Sequence, residues 1–146
     1  MIRFVVDASV ALKWVVDEVG SAEATQLRQA ERLFAPDLIF AECANALWKK
    51  ARRGEMEREV ALAAARLLVH AQIEIRSARA LMEQAAELAL ALDHPAYDGF
   101  YLALAVVKDC PLVTADARLT QAVARSAAAG LPETLTLTQA GERLKT

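Results

Sequence analysis

The stretch Ile2-Arg3-Phe4-Val5-Val6-Asp7 opens the chain and is apolar except for Arg3 until the acid at its end. A run without polar alternation is typical of a strand buried on both faces, as in a parallel sheet covered by helices. Four more short runs of apolar or β-branched residues predict strands. They are Leu33–Ala35, Ile73–Arg76, Leu112–Thr114 and Leu135–Leu137.

Longer segments, in which apolar residues recur every three or four positions, separate these runs and predict helices. These segments are Ser9–Val16, Ser21–Arg32, Asp37–Arg53, Glu55–Ala71, Arg79–Leu92, Pro95–Lys108 and Ala117–Ala129. Strands that alternate with helices indicate an α/β fold, and right-handed crossovers make its sheet mainly parallel. We find no linker or repeat, so residues 1–146 are expected to form a single domain.

Composition excludes several classes of protein. With 55% hydrophobic residues and a net charge of −2, the chain is neither disordered nor a binder of nucleic acid through bulk positive charge. Cys43 and Cys110 stand alone without metal-site spacing, which favours a reduced, cytoplasmic protein. The longest uncharged apolar stretch, Gly99 to Val107, is too short to span a membrane, so we expect no membrane association.

Four acids are candidates for a functional site, and each also has a structural alternative. Asp7 and Asp116 are suited to cap the helices that follow them. Asp98 suits the first turn of a helix, and Glu42 could form a buried ion pair with an arginine. Asp7 and Asp116 each follow a predicted strand, and ligands of parallel sheets bind outside the carboxyl ends of the strands. Glu42 interrupts the apolar helical run Leu38–Trp48, where an unpaired carboxylate is costly. Asp98 opens a helix whose next ten residues carry no charge.

Carboxylates that converge on one crevice repel each other, and a hard divalent cation removes that penalty. An oxygen-only site suits Mg²⁺ or Mn²⁺, and neither histidine has the acid and nucleophile neighbours of a triad. Metal-dependent hydrolysis of phosphodiester bonds is the chemistry that these residues favour.

Four segments in order resemble a known family. They are Val5-Val6-Asp7-Ala8-Ser9, Pro36 followed by Glu42 and Asn45, Tyr97-Asp98 before Tyr101-Leu102-Ala103-Leu104-Ala105, and Leu112-Val113-Thr114-Ala115-Asp116. Together they resemble the PIN-domain nucleases, most closely the VapC-type toxins of toxin–antitoxin pairs. The resemblance covers essentially the whole chain.

This resemblance implies a three-layer α/β/α domain with a central, mainly parallel sheet of four to five strands. It also implies a Mg²⁺- or Mn²⁺-dependent endoribonuclease, usually a homodimer, that a small cognate antitoxin inhibits. By position, the family's acidic metal-binding and catalytic quartet becomes Asp7, Glu42, Asp98 and Asp116. Ser9 and Thr114 match its supporting hydroxyl positions, and Asn45 matches a polar position beside the glutamate.

Basic residues near these acids are candidates for binding RNA. The densest cluster ends the helix that carries Glu42, and two further candidates lie close to Asp7 and Asp116 in sequence. The set is Lys49, Lys50, Arg52 and Arg53, together with Lys13 and Arg118. For the aromatic residues Trp14, Trp48, Tyr97 and Tyr101, we expect a place in the core, and for His70 and His94 a structural or surface role.

Two other functions use similar residues. A PIN nuclease that acts without an antitoxin, in RNA processing or on DNA, would share the same acids. A receiver-type phosphoacceptor module also uses acids and Mg²⁺ at a sheet edge, but Arg76-Ser77 stands where its acceptor aspartate would be. A haloacid-dehalogenase phosphatase is disfavoured because Ser9 replaces the second aspartate after Asp7.

Overall fold

The computed structural model describes residues 1–146 as five parallel strands enclosed by helices. The strands are β1 (Arg3–Val6), β2 (Arg32–Pro36), β3 (Glu74–Arg76), β4 (Leu112–Val113) and β5 (Thr134–Leu135). Their spatial order is β3-β2-β1-β4-β5, so β1 lies at the centre between β2 and β4. The predicted parallel α/β sheet is confirmed.

Eight α-helices connect and follow these strands. They are α1 (Ala8–Ala11), α2 (Ser21–Gln26), α3 (Leu38–Arg52), α4 (Arg58–Val69), α5 (Ala78–Leu92), α6 (Ala96–Lys108), α7 (Ala117–Arg125) and α8 (Leu137–Lys145). Short 3₁₀ turns extend α1 over Leu12–Trp14 and α2 over Leu27–Gln29. None of these helices combines the length and apolar character needed to cross a bilayer.

Alternate strand residues build two separate cores, one on each face of the sheet. Val5, Phe34 and Leu112 point to the larger core, which helices α3 to α7 cover. Phe4, Val6 and neighbouring strand residues point to the smaller core, which α2 and α8 close. Residues of both cores are almost fully buried, as the uninterrupted apolar run of β1 predicts. The domain therefore has the three expected layers.

Several sequence predictions are wrong at their ends, among them the helix predicted over Ala117–Ala129, which ends at Arg125. The helix predicted over Ser21–Arg32 stops early, because Arg32 pairs with Arg3 as the first residue of β2. The strand predicted over Leu135–Leu137 ends at Leu135, and α8 begins at Leu137. Thr136 and Gln139 form a reciprocal capping box at the start of this helix, and their spacing is readable in the sequence.

Candidate active site

Asp7 lies at the carboxyl end of the central strand β1 and is only 5% exposed. Its carboxylate also caps α1, since it accepts a hydrogen bond from the backbone N–H of Val10 at 3.2 Å. The Ser9 hydroxyl donates to Asp7 Oδ1 at 2.5 Å, and the Thr114 hydroxyl donates to Oδ2. Asp7 therefore caps a helix and is at the same time a buried carboxylate at the end of the central strand.

These hydroxyls also tie the end of β1 to the loop after β4. The Ser9 hydroxyl accepts from the backbone N–H of Ala115 at 2.9 Å, and the Thr114 hydroxyl accepts from that of Asp116 at 3.0 Å. Parallel pairing of β1 with β4 makes both connections possible, because the two strands end at the same edge of the sheet.

The charge of Asp7 is not balanced by a basic side chain. Burial raises the pKa of Asp7 to about 6, and repulsion from Asp98 adds to this, although the Ser9, Thr114 and Val10 hydrogen bonds oppose it. The ionised carboxylate is therefore stabilised by neutral donors alone, which leaves it receptive to a cation.

Glu42 projects from α3 and is held by a residue of α6. The Tyr101 hydroxyl donates to Glu42 Oε1 at 2.5 Å, and Tyr101 itself is 1% exposed. Burial raises the pKa of Glu42, the Tyr101 hydrogen bond lowers it, and the negative charge of Asp98 raises it further. The arginine ion pair that would explain a buried glutamate structurally is not present among its contacts.

Asp98 lies in the first turn of α6 and meets His94, which precedes that helix. His94 Nε2 donates to Asp98 Oδ2 at 2.5 Å, and both side chains are largely buried. Asp116 is more open: it caps α7 by accepting from the backbone N–H of Arg118 at 2.9 Å. The exposed Arg118 guanidinium stands 3.7 Å from the same carboxylate.

The four acids surround the carboxyl ends of β1 and β4 without closing into a cage. Asp98 is close enough to raise the pKa of both Asp7 and Glu42, whereas no three acid, histidine or cysteine side chains gather around one point. Mg²⁺ commonly keeps several waters and takes only one or two protein carboxylates together with substrate phosphates, so it does not require such a cage.

Two of the three clefts that adjoin these acids lie beside Asp98 and Glu42. One, of about 640 Å³, includes His94, Asp98, Asp116 and Arg118 in its lining. The other, of about 440 Å³, has acidic, hydroxyl and basic side chains in its walls. Its polar lining residues are Ser9, Lys13, Glu18, Glu42, Asn45, Lys49 and Lys50.

The basic candidates separate into two groups in the structure. Lys13, Lys49 and Lys50 line the second cleft, and Arg118 lines the first. Arg52 instead stacks on the Trp48 ring, 5.3 Å from its centroid. Arg53 is exposed at the end of α3 and lines neither cleft.

Two predictions about aromatic residues are wrong. Trp48 and Tyr97 are 54% and 63% exposed, so they are not core residues, whereas Tyr101 is. His94 contacts Asp98, which is compatible with the structural role predicted for it. Cys43 is buried, and burial raises its thiol pKa to about 12.

Comparisons with known proteins agree with this architecture. The PIN domain family model matches residues 4–125. Ribonuclease VapC9 of Mycobacterium tuberculosis is 38% identical over 118 residues, which cover 79% of this chain and 87% of the relative.

Two solved structures share the fold. PAE2754 from Pyrobaculum aerophilum superimposes with a TM-score of 0.73 at 23% identity, covering 99% of this chain and 97% of its own. VapBC2 from Rickettsia felis, bound to a DNA fragment from its promoter, gives a TM-score of 0.66 at 12% identity, with 92% and 98% covered. With the family model and the VapC9 similarity each spanning most of the chain, this protein belongs to the PIN domain family and, within it, to the VapC ribonucleases.

Proposed function

We propose that this chain is a Mg²⁺- or Mn²⁺-dependent endoribonuclease that hydrolyses RNA phosphodiester bonds as the toxin of a toxin–antitoxin pair. The observation that carries the proposal is the buried Asp7 carboxylate, which has only neutral donors and feels repulsion from Asp98. A VapC ribonuclease with such an acid at its strand ends has the electrostatic need for a divalent cation.

The donor chemistry of the site fits this cation. Every candidate ligand is a carboxylate oxygen, the type that Mg²⁺ and Mn²⁺ prefer. Asp7, Glu42, Asp98 and Asp116 would hold one or two ions between them. When bound, the metal would polarise the scissile phosphodiester and lower the pKa of a nearby water.

The residues around the acids would keep these oxygens in place. Ser9 and Thr114 orient Asp7, Tyr101 orients Glu42, and His94 orients Asp98. Water attacks phosphorus in line and the opposite P–O bond breaks, so no side chain forms a covalent bond to RNA. Asn45, which lines the second cleft together with Glu42, would support that glutamate.

The two clefts give the RNA backbone a basic residue on each side of the acids. Lys13, Lys49 and Lys50 lie on one side, and Arg118 lies on the other. Contacts of this kind hold phosphates without reading sequence. Arg52 and Arg53, which line neither cleft, would attract RNA only at longer range.

Membership of the VapC ribonucleases also suggests which proteins this chain binds. An inhibitory antitoxin is expected to bind this toxin, just as the Rickettsia felis neighbour was solved as VapBC2. We also propose a homodimer and a cytoplasmic location. The unpaired Cys43 and Cys110 are consistent with a reducing compartment.

Cleavage of a mixed cellular RNA pool tests the proposed function. Wild type and Asp98→Asn, each purified free of antitoxin, are incubated with Mg²⁺, Mn²⁺ or EDTA, and single-stranded DNA is tested in parallel. We expect discrete RNA fragments from wild type alone, and none in EDTA.

Equal cleavage by a folded Asp98→Asn variant would contradict the assignment of Asp98. Cleavage of DNA in preference to RNA would favour the PIN nuclease that acts without an antitoxin.

A further inference from the structure

Glu18 joins two lysines that come from different parts of the chain. The Lys13 ammonium lies 3.1 Å from Glu18 Oε1, and the Lys50 ammonium lies 2.9 Å from Oε2. The Glu18 side chain is 26% exposed, and those of Lys13 and Lys50 are 14% and 21% exposed. One carboxylate therefore stands between two ammonium groups, and the trio keeps one net positive charge.

The position of this trio relates it to the active site. Lys13, Glu18 and Lys50 line the same 440 Å³ cleft as Ser9 and Glu42. Lys50 follows Glu42 by eight residues on α3, a rise of about 12 Å along the helix axis. Lys50 is therefore separated from Glu42 along α3, and the trio shares the cleft of Glu42 without contributing one of the four candidate metal-binding acids.

The Glu18 carboxylate is held firmly enough to stay ionised but weakly enough to be displaced. Partial burial raises its pKa, but hydrogen bonds and charge from Lys50 and Lys13 outweigh this and lower the pKa below its usual range. The three side chains keep 14–26% of their surface exposed on the cleft, so a second anion that enters the cleft can reach both ammonium groups and compete with Glu18 for them. Lys13 also donates to the Val19 carbonyl at 2.8 Å, a contact that does not depend on the Glu18 carboxylate.

We infer that Glu18 occupies, in the free protein, the place of an RNA backbone phosphate, and that Lys13 and Lys50 exchange it for a phosphate flanking the scissile one. A carboxylate and a phosphodiester are both monoanions that accept hydrogen bonds from ammonium groups. Glu18 comes from the loop before α2, so its side chain can leave without unfolding a helix. The inference rests on RNA as the substrate and makes Glu18 an intramolecular competitor of it.

Binding of RNA by Glu18→Gln tests the inference directly. The probe is a short fluorescein-labelled single-stranded RNA of mixed sequence, titrated in EDTA and followed by fluorescence anisotropy. Glutamine keeps the shape of Glu18 but removes the competing charge, so we expect about fivefold tighter binding than wild type at low salt.

Glu133→Gln is the matched control. It makes the same change in net charge at the exposed Glu133–Arg143 pair, and it lies before β5, at the sheet edge away from the acids. Its binding is expected to stay within about twofold of wild type, because a distant surface charge is screened.

Lys50→Gln and the double variant Glu18→Gln/Lys50→Gln complete a double-mutant cycle that tests whether the two residues act together. Lys50→Gln alone should weaken binding, and Glu18→Gln should gain less when Lys50 is already absent. Circular dichroism and thermal unfolding show whether each variant is folded. A folded Glu18→Gln that binds no tighter than Glu133→Gln, or more weakly than wild type, would overturn the inference and make Glu18 a structural tie.

The outcomes for wild type separate this inference from the proposed function. If wild type cleaves RNA and Glu18→Gln binds RNA with the same affinity as wild type, the inference about Glu18 is wrong but the proposed function stands. If wild type neither binds nor cleaves RNA, both the inference about Glu18 and the proposed function are wrong.

Discussion

The Tyr101 hydroxyl donates a hydrogen bond to the Glu42 carboxylate at 2.5 Å and so joins α6 to α3 beside the candidate active site. Neither residue needs the other for helix formation, and they are 59 positions apart in sequence. Tyr101 is buried, and burial together with the negative charge of Glu42 raises its pKa, so the phenol stays protonated and acts as a donor. The side chain of Glu42 therefore has a defined orientation towards the cleft.

Tyr101→Phe should loosen Glu42 while keeping the packing of the ring. Removing a hydrogen bond to a charged group is expected to cost about 1.5–3 kcal/mol, towards the lower end because Glu42 is not fully buried. Urea unfolding measures this loss, and Mn²⁺ titration should show weaker binding. Tyr97→Phe, at an exposed position on the same helix, is the control. Unchanged Mn²⁺ affinity in Tyr101→Phe would contradict a role for Tyr101 in orienting Glu42.

Asp7 should make the metal-free protein less stable as the pH rises. Its pKa is about 6 in the folded protein against 3.8 as the ordinary value, so the folded state binds the proton more tightly than the unfolded state. Between about pH 4 and 6 the free energy of unfolding therefore falls with rising pH, by up to about 3 kcal/mol.

The comparison with Asp7→Asn isolates this effect from other titrating groups. In EDTA, the stability of wild type relative to Asp7→Asn should decrease from pH 4 to pH 7, as measured by urea unfolding at each pH. Added Mg²⁺ should restore wild type at pH 7, because a cation favours the ionised carboxylate. A constant difference between the two proteins across this range would show that Asp7 titrates normally.

His94→Ala should weaken metal binding through Asp98. The imidazole donates to Asp98 at 2.5 Å, and loss of a partner that orients a metal ligand typically costs 10- to 100-fold in affinity or activity. We expect a decrease of about tenfold in Mn²⁺ affinity. His94→Gln, which can still donate, should recover part of it, and His70→Ala at an exposed position should have no effect. Equal Mn²⁺ affinities for His94→Ala and His70→Ala would show that His94 does not orient Asp98 for metal binding.

Two glycines in helices should respond in opposite directions to alanine. A Cβ at Gly99 would lie 2.4 Å from the Ala85 carbonyl oxygen, so Gly99→Ala should force α5 and α6 apart and cost about 1–3 kcal/mol. A Cβ at Gly141 would have only Gln26 Oε1 nearby, at 3.7 Å. Gly141→Ala should therefore stabilise α8 by about 0.5–1 kcal/mol.

Thermal or urea unfolding measures both variants. Because Gly99 adjoins Asp98, cleavage should also fall in Gly99→Ala but not in Gly141→Ala. Equal stability of the two variants would show that the contact between α5 and α6 adjusts freely.

Local patterns in the sequence are enough to predict the layers of the fold and to single out the four acids as candidates. Strand β1 was recognisable from an apolar run that ends at Asp7, and Glu42 from an acid in an apolar helical segment. Both signals are local, because the period of apolar residues and the cost of burying a charge act on a single segment. The capping box of α8 is a local signal of the same kind, because its two partners lie three positions apart.

The side chains that contact these acids become known only when the chain is folded. Thr114 reaches Asp7 across 107 positions because β4 pairs with β1, and Lys50 reaches Glu18 across 32 positions because a loop folds against α3. His94 and Asp98 are four positions apart, yet α6 begins at Ala96, so helical spacing did not predict their contact. Such contacts depend on strand order and loop placement, which the burial of the whole chain fixes and no single segment encodes.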